Sequence, residues 1–551
     1  MESKSYFGKI FLRVSHLPTI LLIAGYLSYW IELYFIRKKG GAASPFAFIL
    51  FAAFSIFVLF HRRRHIRQFF SWFVQEYKKQ EKISKYFLII SFGLIIPIII
   101  IAFYAHLLPP HLIQESDALN YHFTLPHQHL ISGSFKHIRW SSADLFPLPV
   151  QFALAPYWFV TELPNKFPQF FFLIGLVLVA VNLVKQLGNN NVFTMCLMAF
   201  SIFGSHFLGI QIGTAMLDIV LCYLLFAALD SFLQGDILAS AVEFTFFLWS
   251  KSFMPFQVFF IALAMLLLFF ILKRAGFKDI GWGFTEINSQ DNKRRYLALL
   301  KKMPVLLILF TVLIGGPFLI KSAYYSGTPL FPFMPGIIKI NKNIDKNSDA
   351  WRSILASSES YVSKKDMYGY GRSPVAFIRH LFLIAVPEEG VNNRYDYPVG
   401  LPYLLFAGPF LYFLFFSLKK KQFVILPLFI IFYWISWWFG SHQTRFLYIP
   451  IFLIIAVSLP AIKVKSKIFM AAIVISLLTT GMSVFRAHRK DFGLLGKIDI
   501  LREKDRRIVE MNKRYSGIDR GSAISLDYYD VAYAKFPVNV TKEELPWILS
   551  R

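Results

Sequence analysis

Between Phe87 and His106 the chain reads FLIISFGLIIPIIIIAFYAH, twenty residues without Asp, Glu, Lys or Arg. As a helix rising about 1.5 Å per residue, such a run matches the roughly 30 Å hydrocarbon thickness of a bilayer. In hydrocarbon a single segment pairs all its backbone groups only as a helix. The pattern recurs along most of the 551 residues, which are 56% hydrophobic and only 16% charged, outside the range of soluble domains. It predicts an all-α polytopic membrane protein of about thirteen transmembrane helices. The stretches are 17–36, 45–60, 87–106, 168–185, 192–210, 212–232, 237–250, 254–272, 303–320, 401–418, 422–440, 446–462 and 468–485.

Basic residues collect between these stretches, in HRRRHIRQ (61–68), KKQEKISK (78–85), KRAGFK (273–278), NKRR (292–295), KKK (419–421) and KVKSK (463–467). Short basic loops mark the cytoplasmic side. The net charge of +26 therefore reads as topology rather than nucleic-acid binding, for no basic, aromatic-interleaved soluble face is present. The run 145–160, LFPLPVQFALAPYWFV, carries Pro147, Pro149 and Pro156, so it is expected as an interfacial helix rather than a span. Counting it as a span would put the basic loops outside. Only RAHRK (486–490) runs against this parity.

Three regions result. Residues 1–86 hold two additional N-terminal spans and a basic cytoplasmic loop. Residues 87–485 form a transmembrane core with outside loops at 107–167 and 321–400, the latter expected to contain a second interfacial helix in YGYGRSPVAFIRHLFLIAVP. Residues 486–551 form a small extracytoplasmic α/β tail, with helical KIDILREKDRRIVEMNKRY and strand-like SAISLDYY.

The first outside loop holds QESDALNYHFTLP, 114–126. Glu115 and Asp117 lie close to the membrane surface. A short helix starting at Asp117 and stopped by Pro126 would put Tyr121 on the same face and His122 on the next. Carboxylate, phenol and imidazole together can transfer protons or bind a cation. Asp117 can equally be a helix cap. His122, His127 and His129 could join a carboxylate around zinc, although their spacing fits no standard pattern. Cys196 and Cys222 fall in apolar runs and read as buried packing residues. Three further ionisable residues sit at the outer ends of spans, where charge is costly and often functional: Asp218, Lys251 and Arg445. Glu243 reads as a partner for a neighbouring helix.

These features resemble the polytopic GT-C glycosyltransferases, the class of the protein O-mannosyltransferases and the lipid A aminoarabinose transferases. The matching segments are ESDALNYHFTLPHQHLISGSF, GTAMLDIVLCYLL, KSAYYSGTPLFPF and RFLYIP, and the likeness covers about 87–485 plus the tail. The resemblance implies inverting transfer of a sugar from a polyprenyl-phosphate donor to a lipid, glycan or protein acceptor. The site would face the periplasmic or outer side of a bacterial inner membrane. It implies Asp117 as catalytic acid or base with Glu115 beside it. The family's acidic pair is here split by Ser116, which leaves open which carboxylate is the base and whether the two hold a divalent cation. Lys251, Arg445 and Arg372 would meet the leaving lipid phosphate, Tyr121 and His122 would contact substrate, and Asp218 would support the centre. The alternatives are a polymerase or ligase of lipid-linked glycans, acting through basic residues of 321–400, then a transporter or flippase, then a non-catalytic scaffold.

Overall fold

The computed structural model describes residues 13–36, 45–107, 117–138, 141–159, 165–188, 191–277, 279–282, 290–336, 349–363, 369, 371–385, 398–440, 442–462 and 466–492. The tail segments 497–515 and 522–529 and the candidate acid Glu115 lie outside them. The described residues are mostly helical. The first helices are α1 (Leu17–Ile31), α2 (Phe46–Lys79), α3 (Lys82–Leu107), α4 (Thr124–Ser132), α5 (Pro149–Trp158), α6 (Phe167–Gln186) and α7 (Val192–Phe203). There follow α8 (His206–Gln211), α9 (Asp218–Gln234), α10 (Ile237–Trp249), α11 (Met254–Arg274), α12 (Gln290–Phe310) and α13 (Gly316–Ser326). The last are α14 (Asp349–Ser363), α15 (Pro374–Leu383), α16 (Leu401–Lys419), α17 (Ile425–Phe439), α18 (Tyr448–Ser458) and α19 (Lys467–Phe492). Two three-residue strands, β1 (Asp279–Gly281) and β2 (Gln422–Val424), pair in parallel.

Among the described residues, nine helices are long and apolar enough to cross a bilayer, which makes this a multi-pass membrane protein. Nine of the thirteen predicted stretches coincide with these long apolar helices. The other four, at 192–210, 212–232, 237–250 and 422–440, are shorter than predicted, because α7, α9, α10 and α17 end or begin within them.

Loops sort to two ends of the bundle. At one end Arg13 pairs with Asp236, His16 lies between Asp230 and Glu243, and Phe232 packs on Trp282 beside the β1–β2 pair. At the other, Arg445 meets Asp117, Lys251 meets Asp218, Lys321 meets Asp144, and the Lys166 amide donates to the His106 carbonyl. That separation agrees with the alternation read from the basic loops.

Several local expectations are corrected. HRRRHIRQ is not a loop but part of α2, since Arg and Gln are good helix formers and solvent does not break a helix. The run around Pro149 is no surface helix. All ten residues of α5 are buried, and an interfacial helix would leave one face uncovered. The α1–α5 crossing is so close that a Cβ on Gly25 would come within 2.0 Å of the Ala153 carbonyl. The helix expected later in 321–400 does form as α15, with Val375, Ile378 and Phe382 exposed and Ala376 and His380 buried.

Nor is α1 peripheral. His16 Nδ1 lies 2.7 Å from Glu243 Oε1, Thr19 Oγ1 donates to the same oxygen at 2.7 Å, and Ser231 donates to Oε2 at 2.9 Å. Glu243 is thus the neighbour-helix partner expected of it, and the helix it secures is α1, the first α-helix among the described residues. A five-residue π turn, Thr311–Gly315, joins α12 to α13. Its wider winding frees carbonyls, and Tyr26 donates to two of them, at Leu313 (3.2 Å) and Ile314 (2.9 Å).

Candidate functional site

Asp117 opens a π-helical turn, Ala118–His122, closed by the bond from the Phe123 amide to the Ala118 carbonyl at 2.9 Å. Pro126 does not stop this element. It occupies the first turn of α4, where its missing N–H costs nothing, and α4 runs on to Ser132 before Gly133 turns left-handed at φ 60°. Asp117 makes no side-chain cap bond, which removes the capping role. Its carboxylate instead accepts from Arg445 Nη1 at 3.2 Å, across 328 residues of sequence.

Arg445 enters on the single turn Thr444–Leu447 ahead of α18. The next residue supplies a shared aromatic face, with Lys251 Nζ 4.3 Å and Arg445 Cζ 5.3 Å from the Phe446 ring centroid. A quadrupole of this kind holds cations near one another without neutralising them. Lys251, in the turn between α10 and α11, bonds Asp218 Oδ1 at 2.7 Å, and Gln211 Nε2 bonds Asp218 Oδ2 at 3.0 Å. Asp218 is the first residue of α9, where a carboxylate faces the positive end of the helix dipole.

His122 closes the other side. Its Nδ1 accepts from Gln151 Nε2 of α5 at 3.2 Å, and its ring lies 4.2 Å from that of half-buried Tyr121. Burial pushes its pKa down to about 3, with Lys251 and Arg445 adding to the shift and Asp117 and Asp218 opposing it. A neutral imidazole held by a carboxamide orients groups rather than exchanging charge near pH 7.

Asp117, Tyr121, His122, Asp218, Lys251 and Arg445 therefore share one centre. Arg372 is placed differently. Its guanidinium donates to the carbonyls of Trp438 (2.7 Å) and Gly440 (2.8 Å), closing the end of α17 and steadying the turn that leads to Arg445. The zinc arrangement does not form. His127 stacks on Phe159 at 4.1 Å, His129 bonds Asp144, and His122 bonds Gln151. Among the described residues no three His, Cys, Asp or Glu side chains stand close enough to hold a metal. Cys196 and Cys222 are free and buried, as expected.

A second buried cluster escaped the sequence reading. Asp144 accepts from Lys321 Nζ (2.8 Å) and the Ile138 amide (2.8 Å), and it faces His129 Nε2 (2.7 Å) and His137 Nδ1 (3.2 Å). Burial works against its ionisation, yet Lys321 and His129 hold its carboxyl well below the usual range. This knot fastens the segment between α4 and α5 to α13. Lys321 at the end of an apolar run was its one sequence signal. No family model, no characterised protein and no solved structure matches this chain.

Proposed function

We propose that this protein is a GT-C-like glycosyltransferase of thirteen spans that moves a sugar from a polyprenyl-phosphate donor to an acceptor at the outer face of the membrane. The observation that carries the reading is the meeting of Asp117 with Arg445, Lys251, Asp218 and His122 at one end of the bundle. Inverting transfer needs a base on the acceptor and positive charge where the lipid phosphate departs. Asp117 is the partly open carboxylate, suited to accept the acceptor's proton as its oxygen attacks the anomeric carbon. Lys251 and Arg445, gathered on Phe446, suit the phosphate oxygens that take up charge as the glycosidic bond breaks.

Asp117 already faces a guanidinium, a poor seat for a divalent cation. No step is therefore routed through a metal, and Glu115 is left as a neighbouring acid to be tested by substitution. Arg372, committed to two carbonyls, lends no support to a glycan ligase working through that arginine. The test is transfer from radiolabelled undecaprenyl-phosphate sugars by the purified protein in lipid nanodiscs, with mass spectrometry of envelope glycans from a deletion strain to name the product. Absence of transfer with every donor, together with an unchanged envelope, refutes the proposal.

A further inference from the structure

Two carboxamides at the charged centre are left half-used. Gln151 is 1% exposed and spends its Nε2 on His122, and Gln211 is 3% exposed and spends its Nε2 on Asp218. The Oε1 atom of each is buried and accepts no hydrogen bond among the described residues. Exchanging the amide's O and N at Gln211 would press an oxygen against the Asp218 carboxylate, so its assignment is fixed by charge. At Gln151 the exchange only moves the deficit from oxygen to NH2. A buried carbonyl oxygen without a donor is costly, because it has lost its water and gained no partner. Two such atoms are each joined by their own amide to a member of one charged centre.

We propose that Gln151 and Gln211 form a neutral sugar subsite, their carboxamide oxygens accepting hydrogen bonds from hydroxyl groups of the donor's sugar while Lys251 and Arg445 hold its phosphate. The inference rests on the sugar-transfer reading and adds to it the residues that choose the sugar. The chemistry favours a polyhydroxylated neutral ring over a bare phosphate. Uncharged acceptors give a hydroxyl its partner without attracting a second cation. A site built to bond a hydroxyl discriminates against a ligand lacking it by far more than an apolar pocket does. His122 belongs to the same wall, since its hydrogen bond aims the Gln151 amide. The two glutamines are thus specificity residues, distinct from Asp117.

Native mass spectrometry and microscale thermophoresis of the full chain in nanodiscs test this with two kinds of probe. One is undecaprenyl phosphate. The other is a panel of undecaprenyl-phosphate monosaccharides: glucosyl, galactosyl, mannosyl and arabinosyl. The wild type is expected to bind at least one glycolipid more tightly than the bare phosphate. Gln151→Met and Gln211→Met keep side-chain length and remove the polar atoms. Each is expected to lower that preference about tenfold, the size of one lost hydrogen bond, and to leave affinity for undecaprenyl phosphate unchanged. Arg445→Ala is expected to weaken both probes together. A wild-type preference that survives in the Gln151→Met/Gln211→Met double variant overturns the subsite and leaves the transferase reading standing. Equal affinity of the wild type for bare and glycosylated lipids also overturns it. Failure to bind any lipid phosphate overturns the transferase reading, and the subsite with it. A loss of affinity for both probes in the glutamine variants assigns them to packing and refutes the inference.

Discussion

Replacing Asp117 by Asn separates chemistry from architecture. The residue is 34% exposed, its carboxylate pairs with Arg445 at 17% exposure, and it caps nothing. An ion pair so open contributes at most about 1 kcal/mol to stability, and an asparagine oxygen can still accept from the guanidinium. The melting temperature in detergent is therefore expected to stay within a few degrees of wild type. Transfer is expected to fall at least about a hundredfold, the lower end of a general base's contribution, equivalent to about 2.7 kcal/mol in the barrier. Asp144→Asn is the control that should behave in the opposite way. Asp144 is fully buried among Lys321, His129, His137 and the Ile138 amide. Neutralising it strands a buried lysine, at a cost of about 3–5 kcal/mol, so yield and melting temperature should drop. The assay pairs transfer from a labelled polyprenyl-phosphate sugar with thermal melting on the same preparations. A folded Asp117→Asn protein with near-normal transfer refutes the argument, and so does one that melts as early as Asp144→Asn.

Lys251→Ala and Arg445→Ala should each reduce donor use tenfold to a hundredfold, since one charge-assisted contact is worth about 1.5–3 kcal/mol. Only Lys251→Ala should also lower the melting temperature, because it alone leaves buried Asp218 without its lysine; unchanged donor kinetics in both would move the phosphate site elsewhere. Cysteines at Ser132 or Ser373, both exposed on the Asp117 end, should react with an impermeant thiol reagent in intact cells, and one at Ala275 on the opposite end should not. Labelling at 275 would reverse the orientation, and buried Cys196 and Cys222 should stay silent. Because the folded pKa of His122 is about 3 against an ordinary value near 6.5, the unfolded chain takes up a proton between these limits that the folded chain refuses. Stability should fall as pH drops from 6.5 toward 3, and His122→Asn should flatten that slope in acid denaturation curves; an unaltered slope would show the imidazole to be accessible to protons.

Hydropathy alone foretold a helical, multi-pass membrane protein, because the bilayer imposes helix on any long apolar run. It also marked Asp117, Asp218, Lys251 and Arg445, since a charge at the edge of hydrocarbon is conspicuous in one dimension. Their partners were not legible. Asp117 and Arg445 are 328 residues apart and Asp144 and Lys321 are 177 apart, and pairing over such distances is decided by which helices pack. Local signals also misled where one pattern serves two environments. A short proline-bearing apolar run looks the same at an interface or enclosed as α5. Basic residues mark where α2 leaves the hydrocarbon, not where its helix ends. Pro126 breaks a helix in mid-course but begins one at its first turn. The glutamines carry no charge and lie among apolar neighbours, so Gln151 and Gln211 became visible only when folding buried their amides beside His122 and Asp218. Sequence placed the charges at one surface, and packing alone determined which of them touch.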